Sequence, residues 1–422
     1  MSIGKHLGRT LRQIYTRPPE PVPDEHKKLL LLVGTAIFIA SYDLNIYGLA
    51  LPQIQKSFNI PEADVGRIIF IFRLGMIPAI FLSYLADRIG RRSLLLLTLA
   101  GATACTIWTS FAQSLPEFVA AQTLARVFAY TEELLCVVVI AEEFSERTRG
   151  WAIGQLGALA SFGAGFAALV FGFVNLLPFG WRAIYFLGAI PLLWLLWARR
   201  KLKETKRFED HKKSGHATHP FASLITNYPG RMALLAAIAM PYAFGMASSV
   251  VFLSKHLQST HGWLPGQVSV LVIAAGAIAI LGNIVAGTLS DRIGRRIVLA
   301  AMIAASTLSF ASFYTWATGP WLVLFWTAGL FAYLAADILI AGLAAELFPT
   351  SHRSLASALR LLCWLAAGGI GLLVEAELYE RWGSHGTSIA ILSLLTPLSL
   401  LAIWFLPETA KKSLEEISAK HP

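Results

Sequence analysis

Twelve stretches of roughly twenty residues, each long enough as a helix to cross a hydrocarbon layer of about 30 Å, recur along the whole chain and leave it few folds. They lie at about 29–51, 65–86, 94–112, 118–141, 151–176, 183–197, 232–253, 268–289, 297–316, 321–344, 355–374 and 387–406. No period-2 alternation of apolar and polar residues runs through them, which excludes a β-barrel. The sixth, with Pro178 and Pro191 near its ends, is expected to be short. Of 422 residues 56% are hydrophobic and 14% charged, so the expected class is an all-α membrane protein with twelve transmembrane helices.

The charged residues that remain are patterned. "LSYLADRIGRRSLLLL" at 82–97 returns as "AGTLSDRIGRRIVLAA" at 286–301, an offset of 204 residues. The same offset relates Glu142 and Arg149 to Glu346 and Arg353, Glu204-Thr205 to Glu408-Thr409, and Glu133 to Asp337. One offset at four landmarks is the mark of a parallel repeat, here two six-helix halves. The expected layout is a tail at 1–28, a bundle at 29–198, a hydrophilic loop at 199–230, a second bundle at 231–406 and a tail at 407–422.

Lysine and arginine set the expected orientation, because basic residues near span ends stay preferentially on the cytoplasmic side. One set of loops carries Lys27, Lys28, Arg88, Arg91, Arg92, Arg147, Arg149, Arg199, Arg200, Lys201, Arg292, Arg295, Arg296, Arg353, Lys411 and Lys412; the other carries only Lys56, Arg67, Arg182, Lys255 and Arg381. Both tails are therefore expected in the cytoplasm, and the first 28 residues lack the apolar core of a signal peptide. The net charge of +10 reads as a topology signal, since no clustered soluble basic face offers itself to a nucleic acid. Cys105, Cys136 and Cys363 all fall inside spans, with neither a disulfide framework nor a metal-ligand spacing. His211, His216 and His219 in "HKKSGHATH" have no supporting carboxylate or cysteine, so no metal is expected. No nucleotide-binding loop or hydrolytic motif occurs, and the chain is read as neither an enzyme nor a cofactor protein.

The repeated cassette, placed after the second and eighth spans, resembles the G-x-L-A-D-R-x-G-R-R/K loop of the major facilitator superfamily, with Ser83 and Ser290 as departures. The resemblance covers the full chain. It implies the major facilitator fold, alternating access, a monomer in a bacterial inner membrane, and a gating motif. That motif comprises Asp87, Arg88, Gly90, Arg91 and Arg92, their counterparts Asp291, Arg292, Gly294, Arg295 and Arg296, and the E-x₂-[SP]-x₃-R pairs Glu142/Arg149 and Glu346/Arg353. A positive-inside bias explains the arginines but not the aspartates, which at helix ends are suited to hydrogen-bond a neighbouring helix N-terminus as a latch. "FLPETAKKSLEEI" is similar to the tail of sugar porters and organic-ion carriers, but "MALLAAIAMPYAFGMASSVVFL" lacks the paired glutamines that sugar porters use.

Charges within spans cost roughly 2.5–3.5 kcal/mol each on insertion scales unless they face water or a partner, and seven occur here: Asp43, Arg73, Arg126, Glu132, Glu133, Asp337 and Arg360. Asp43, Arg73 and Arg126 are level, at roughly 12–15 Å from the outer ends of their spans at 1.5 Å per residue. Arg126 and Glu133 stand two turns apart on one face, whereas Glu132 points about 100° away. The R-x₆-E pair resembles the anion:cation symporter branch, and Asp43 in "SYDLNIYGLALPQIQ" resembles the proton-coupled aromatic-acid carriers. Together they imply a small organic anion moved with protons, held by Arg126 with Arg73, with Tyr47 and Tyr242 lining the site and Asp43 and Glu133 taking up protons. The alternatives are a proton-coupled exporter, a sugar porter, a transporter-like receptor or scaffold, and a static ion-pair network. Asp337 and Arg360 are expected to pair as a brace.

Overall fold

The computed structural model describes Pro18 and residues 20–200, 226–348 and 353–406, with a few side chains inside these ranges left undescribed. Among the described residues the chain is helical and forms no strand. The first predicted span is α1, Asp24–Leu49; the short α2, Leu51–Phe58, follows it. The second is the pair α3, Asp64–Leu74, and α4, Met76–Ile89, and the next four are α5, Arg91–Phe111, α6, Leu115–Glu143, α7, Glu146–Phe171, and α8, Trp181–Arg199. The seventh to eleventh are α9, Pro229–Val251, α10, Pro265–Ile293, α11, Arg295–Thr315, α12, Pro320–Glu346, and α13, Arg353–Trp382. The twelfth is broken into α14, His385–Ser393, and α15, Leu398–Trp404.

Eleven of these spans are apolar enough to cross a membrane by composition; α6 is the twelfth, 29 residues long but loaded with Glu117, Arg126, Glu132 and Glu133. The sixth span is longer than expected, at 19 residues. Its polar ends, Arg182 and Arg199, had been excluded from the apolar run, and Pro191 sits inside the helix. Local chemistry marks the starts: Pro116, Pro229, Pro265 and Pro320 occupy first turns, where a missing N–H costs nothing. Ser114 and Ser384 cap α6 and α14 with side-chain oxygens that accept from Glu117 N and Thr387 N.

The described helices group into two units. One comprises the residues through Tyr47 and those from Leu74 to the end of α8; the other comprises Gly48–Arg73 and everything after the central gap. In the first, α5 packs along α6 and α8, around a core of Val33, Ile37, Leu95, Leu99, Val139 and Leu195. In the second, α9 lies along α13, and α12 lies along both α10 and α11. Small residues permit the close approaches: a Cβ on Gly371 would stand 2.3 Å from Phe244 O, and one on Gly163 2.1 Å from Phe38 O. Outward faces are apolar, as at Phe81, Phe162 and Trp404, which suits a lipid surround.

The sequence repeat is also a contact repeat. Gly90 and Gly294 end α4 and α10 at φ 99° and 112°, so a one-residue turn starts the next helix on an arginine. Arg91 Nη2 is 2.9 Å from Glu142 Oε1, and Arg295 Nη2 is 2.6 Å from Glu346 Oε1. Arg92 donates to Arg200 O at 2.9 Å, and Arg296 donates to Trp404 O at 2.7 Å. All four partners obey the offset of 204. Asp291 is 66% exposed and reaches Arg295 at 3.2 Å, while Arg292 is exposed at the end of α10. The side chains of Asp87, Arg88 and Arg353 lie outside the described residues.

These contacts rank the variants. Glu142→Gln and Glu346→Gln each remove a largely buried charge-assisted bond and should cost about 1–2 kcal/mol, with nearly equal falls in Tm. Asp291→Asn, in solvent, should stay within about 0.5 kcal/mol of the parent. Thermal melts of the three purified variants check the order; a larger loss in Asp291→Asn would put the weight of the contact on the aspartate.

Candidate functional site

The interior of the first unit holds one ion pair, Glu132–Arg199, and a carboxylate and a guanidinium, Asp43 and Arg126, that lie near each other without a direct ion pair. Asp43, on α1, is buried, and Thr106 Oγ1 of α5 stands 3.4 Å from its Oδ1. Arg126, on α6, is buried beside it; its Nη1 donates to Leu44 O at 3.2 Å, and its charge bears on Asp43 directly. The hydrogen bond of this guanidinium thus goes to a main-chain carbonyl, and its Nε has no partner among the described residues. Tyr47, one turn beyond Asp43, is buried with its ring 6.2 Å from that of Phe118.

Helical phase separates the two glutamates of α6. Glu133 is exposed on the surface of its unit, two turns from Arg126, whereas Glu132 is buried. Glu132 is paired with Arg199, accepts from Thr98 Oγ1 at 2.5 Å and lies 3.5 Å from Cys136 Sγ. Arg199 is fully buried and also donates to Leu32 O at 3.3 Å. This pair was missed in the sequence, where Arg199 read as a loop cation. A cavity of about 20 Å³, lined by Asp43, Thr106, Glu132 and several alanines, separates the two carboxylates and has room for about one water.

In the second unit, Arg73 lies near the end of α3 and presses on α13, where a Cβ at Gly368 would be 2.5 Å from its Nη1. Arg73 also acts electrostatically on Tyr333, which forms an aromatic cluster with Tyr242 and Trp364 at centroid distances of 5.7–6.1 Å. Tyr242 is fully buried, its hydroxyl 3.0 Å from Ser306 Oγ. Arg360 Nη1 donates to Asp337 Oδ1 at 2.9 Å.

Of the residues singled out in the sequence, Asp43, Arg126 and Tyr47 are therefore neighbours inside the first unit, with Glu133 on its surface. Arg73 and Tyr242 belong to the second unit. Arg149 lies in the first turn of α7, its N–H donating to Ser145 O at 2.8 Å. His211, His216, His219, Glu204-Thr205 and Glu408-Thr409 lie outside the described residues, among which no group of three His, Cys, Asp or Glu is arranged to hold a metal ion.

The chain is 26% identical to a probable 4-methylmuconolactone transporter of Cupriavidus pinatubonensis, over 93% of each chain. It is 25% identical to the niacin transporter of Acinetobacter baylyi, over 94% of this chain and 97% of that one. The crystal structure of a D-xylose–proton symporter superposes with a TM-score of 0.75 at 18% identity, over 92% of this chain and 99% of that one, which shows a common fold. The model of the Major Facilitator Superfamily matches residues 33–253 and again 233–421. With two matching halves, helices of membrane-spanning length throughout and loop contacts repeated at one offset, the chain belongs to the Major Facilitator Superfamily.

Proposed function

We propose that the protein carries a small organic carboxylate across a bacterial inner membrane together with protons, by alternating access, with the DRIGRR loops facing the cytoplasm. The observation that carries this reading is the burial of Arg126 and Asp43 in the interior of the first unit, with the guanidinium of Arg126 on the carbonyl of Leu44, the residue next to Asp43. Arg126 balances Asp43 in the empty protein. A substrate carboxylate taking two parallel hydrogen bonds from the guanidinium claims that charge. Asp43 is then a buried anion without its counter-charge, and such a group is accommodated by protonation. Binding of the substrate anion thus draws a proton onto Asp43. Glu133, exposed along the same helix, is the second proton acceptor in this scheme.

Several further features agree. Arg73 beside Tyr333, Tyr242 and Trp364 offers a cation and π-faces, a surface suited to a ring-bearing or unsaturated anion. The relatives named above are named for niacin and for 4-methylmuconolactone, and both names denote small carboxylates. Glu132 and Arg199 have the opposite character: each is enclosed by protein donors and acceptors, and the pair is read as a brace.

Two experiments separate these roles. Arg126→Lys keeps the charge but loses the planar fork, so binding of nicotinate, benzoate or cis,cis-muconate to the purified protein should weaken at least about tenfold, with Tm little changed. Parental affinity in Arg126→Lys would overturn the assignment. For the brace, Glu132→Gln or Arg199→Met alone leaves a buried charge unpaired and should cost about 3–5 kcal/mol. The double variant should regain most of that loss and keep carboxylate uptake per folded molecule; a double variant that melts well but transports nothing would move the pair into the mechanism.

A further inference from the structure

The second unit contains a buried ionic cluster that the carboxylate reading does not use. Glu375, in "GLLVEAELYE" of α13, is fully buried. Its Oε1 is 2.7 Å from Nδ1 of His385, the first residue of α14. Its Oε2 has no hydrogen-bond partner among the described residues and faces Gly66 of α3, where a Cβ would stand 2.9 Å away. The other ring nitrogen of His385, Nε2, is 3.0 Å from Glu62 Oε2, and Lys255 Nζ lies 2.6 Å from the same oxygen. Lys255, itself buried, also donates to Gln55 Oε1 of α2. One imidazole therefore bridges two carboxylates, one on the turn before α3 and one on α13. The cluster lies beyond the end of α9, whose opposite end is tied by Arg231 to Leu347 O, next to the Arg295–Glu346 contact.

Counting protons identifies what the bridge requires. The hydrogen bond from His385, followed by Lys255, holds the Glu62 carboxyl down to about 2 against its partial burial. Glu62 is thus an anion at any physiological pH and can only accept, so Nε2 carries an N–H. Between Nδ1 and Glu375 Oε1 there is then one proton, shared as imidazolium and carboxylate or as imidazole and carboxyl. Either arrangement is neutral. Without that proton, a ring lone pair would face a buried carboxylate whose second oxygen has no donor, and the contact would become repulsive. Among the described residues no neighbouring cation is spare. Lys255 is engaged by Glu62, and Arg67 by Asp64, Glu377 and Glu380 at 3.2, 2.8 and 2.8 Å. His256, with His261 at 3.2 Å, is pushed down to about 4, chiefly by burial, and is neutral. Tyr379 stacks on the His385 ring at 4.2 Å, and Phe252 lies 4.8 Å from it.

We propose that Glu375 and His385 form a single-proton binding site that clasps the α2–α3 segment onto α13 and α14, at the end of the second unit opposite its Arg295–Glu346 contact. With the proton bound, the chain Glu62–His385–Glu375 is continuous; with the proton lost, the segment is released. The sign follows: the clasp holds at lower pH and opens as pH rises through loss of this proton. The site goes beyond the carboxylate reading and does not depend on it, and its test needs no substrate.

The test uses the full chain with Cys105, Cys136 and Cys363 replaced and a single cysteine introduced by Val65→Cys, buried on α3, or Pro61→Cys, exposed on the same segment. The ratio of their maleimide labelling rates cancels the common pH dependence of thiols. It should rise at least about tenfold between about pH 6 and about pH 9 along a one-proton curve. Glu375→Gln places an amide N–H against neutral Nδ1 with no added proton, so its ratio should stay low and flat; His385→Ala should give a high, flat ratio. Deuterium exchange of the 60–72 segment in the unsubstituted protein should show the same step, which covers a failure of Val65→Cys to fold. A flat ratio and flat exchange in the starting protein, or an unchanged transition in Glu375→Gln, would overturn the proposal.

Discussion

A charge placed inside a hydrocarbon slab must find a counter-charge, a hydrogen bond or water, and the interior of this protein is organised by that requirement. Glu132 and Arg199 meet it most fully: they form a buried ion pair, with Thr98, Cys136 and Leu32 O as further neighbours, although Arg199 Nε has no partner among the described residues. Asp43 and Arg126 meet it with a margin, since a hydroxyl and a carbonyl are their hydrogen-bonding neighbours. Glu375 meets it only through a proton on His385. In the proposed scheme, the degree to which each charge is satisfied grades the interior from brace to site to switch.

The repeat shows what the two halves kept and what they gave up. At the loops, residues and contacts recur together: Arg91–Glu142 with Arg295–Glu346, and Arg92 on Arg200 O with Arg296 on Trp404 O. Within the spans the correspondence thins to Glu133 and Asp337. Asp43, Arg126, Glu132 and Arg199 have Ala247, Leu330, Ala336 and Ile403 at the same offset. The shared part fastens helix ends in each half, while Asp43, Arg126 and Glu132 near the centre of the first half have apolar counterparts in the second. A carrier needs both halves to rock alike but only one place to hold an anion.

Much of this was legible because a charge in an apolar run stands out without any structure. Asp43 and Arg126 were visible for that reason, and a count of 100° per residue already set Glu132 apart from Glu133. Arg199 was not legible: it ends an apolar run and precedes further basic residues, so it resembles a topology signal until tertiary packing buries it. In the repeated loops, sequence shows which residues recur and not which side chain reaches across: Arg91 and Arg295 reach Glu142 and Glu346, Asp291 reaches Arg295, and the side chain of Asp87 lies outside the described residues. Glu375 and His385 were invisible for a third reason. Their role rests on Glu62, more than three hundred residues earlier in the chain.

The central claim is that carboxylate and proton cross together because they exchange places on Arg126 and Asp43. The most direct measurement loads proteoliposomes with a pH-sensitive dye, clamps the membrane potential at zero and adds nicotinate outside, with nicotinamide as the uncharged control. Luminal acidification should track nicotinate uptake in the parent protein, be lost in Asp43→Asn, and be absent with nicotinamide. Nicotinate uptake with no proton movement, or equal uptake of nicotinamide, would contradict the account.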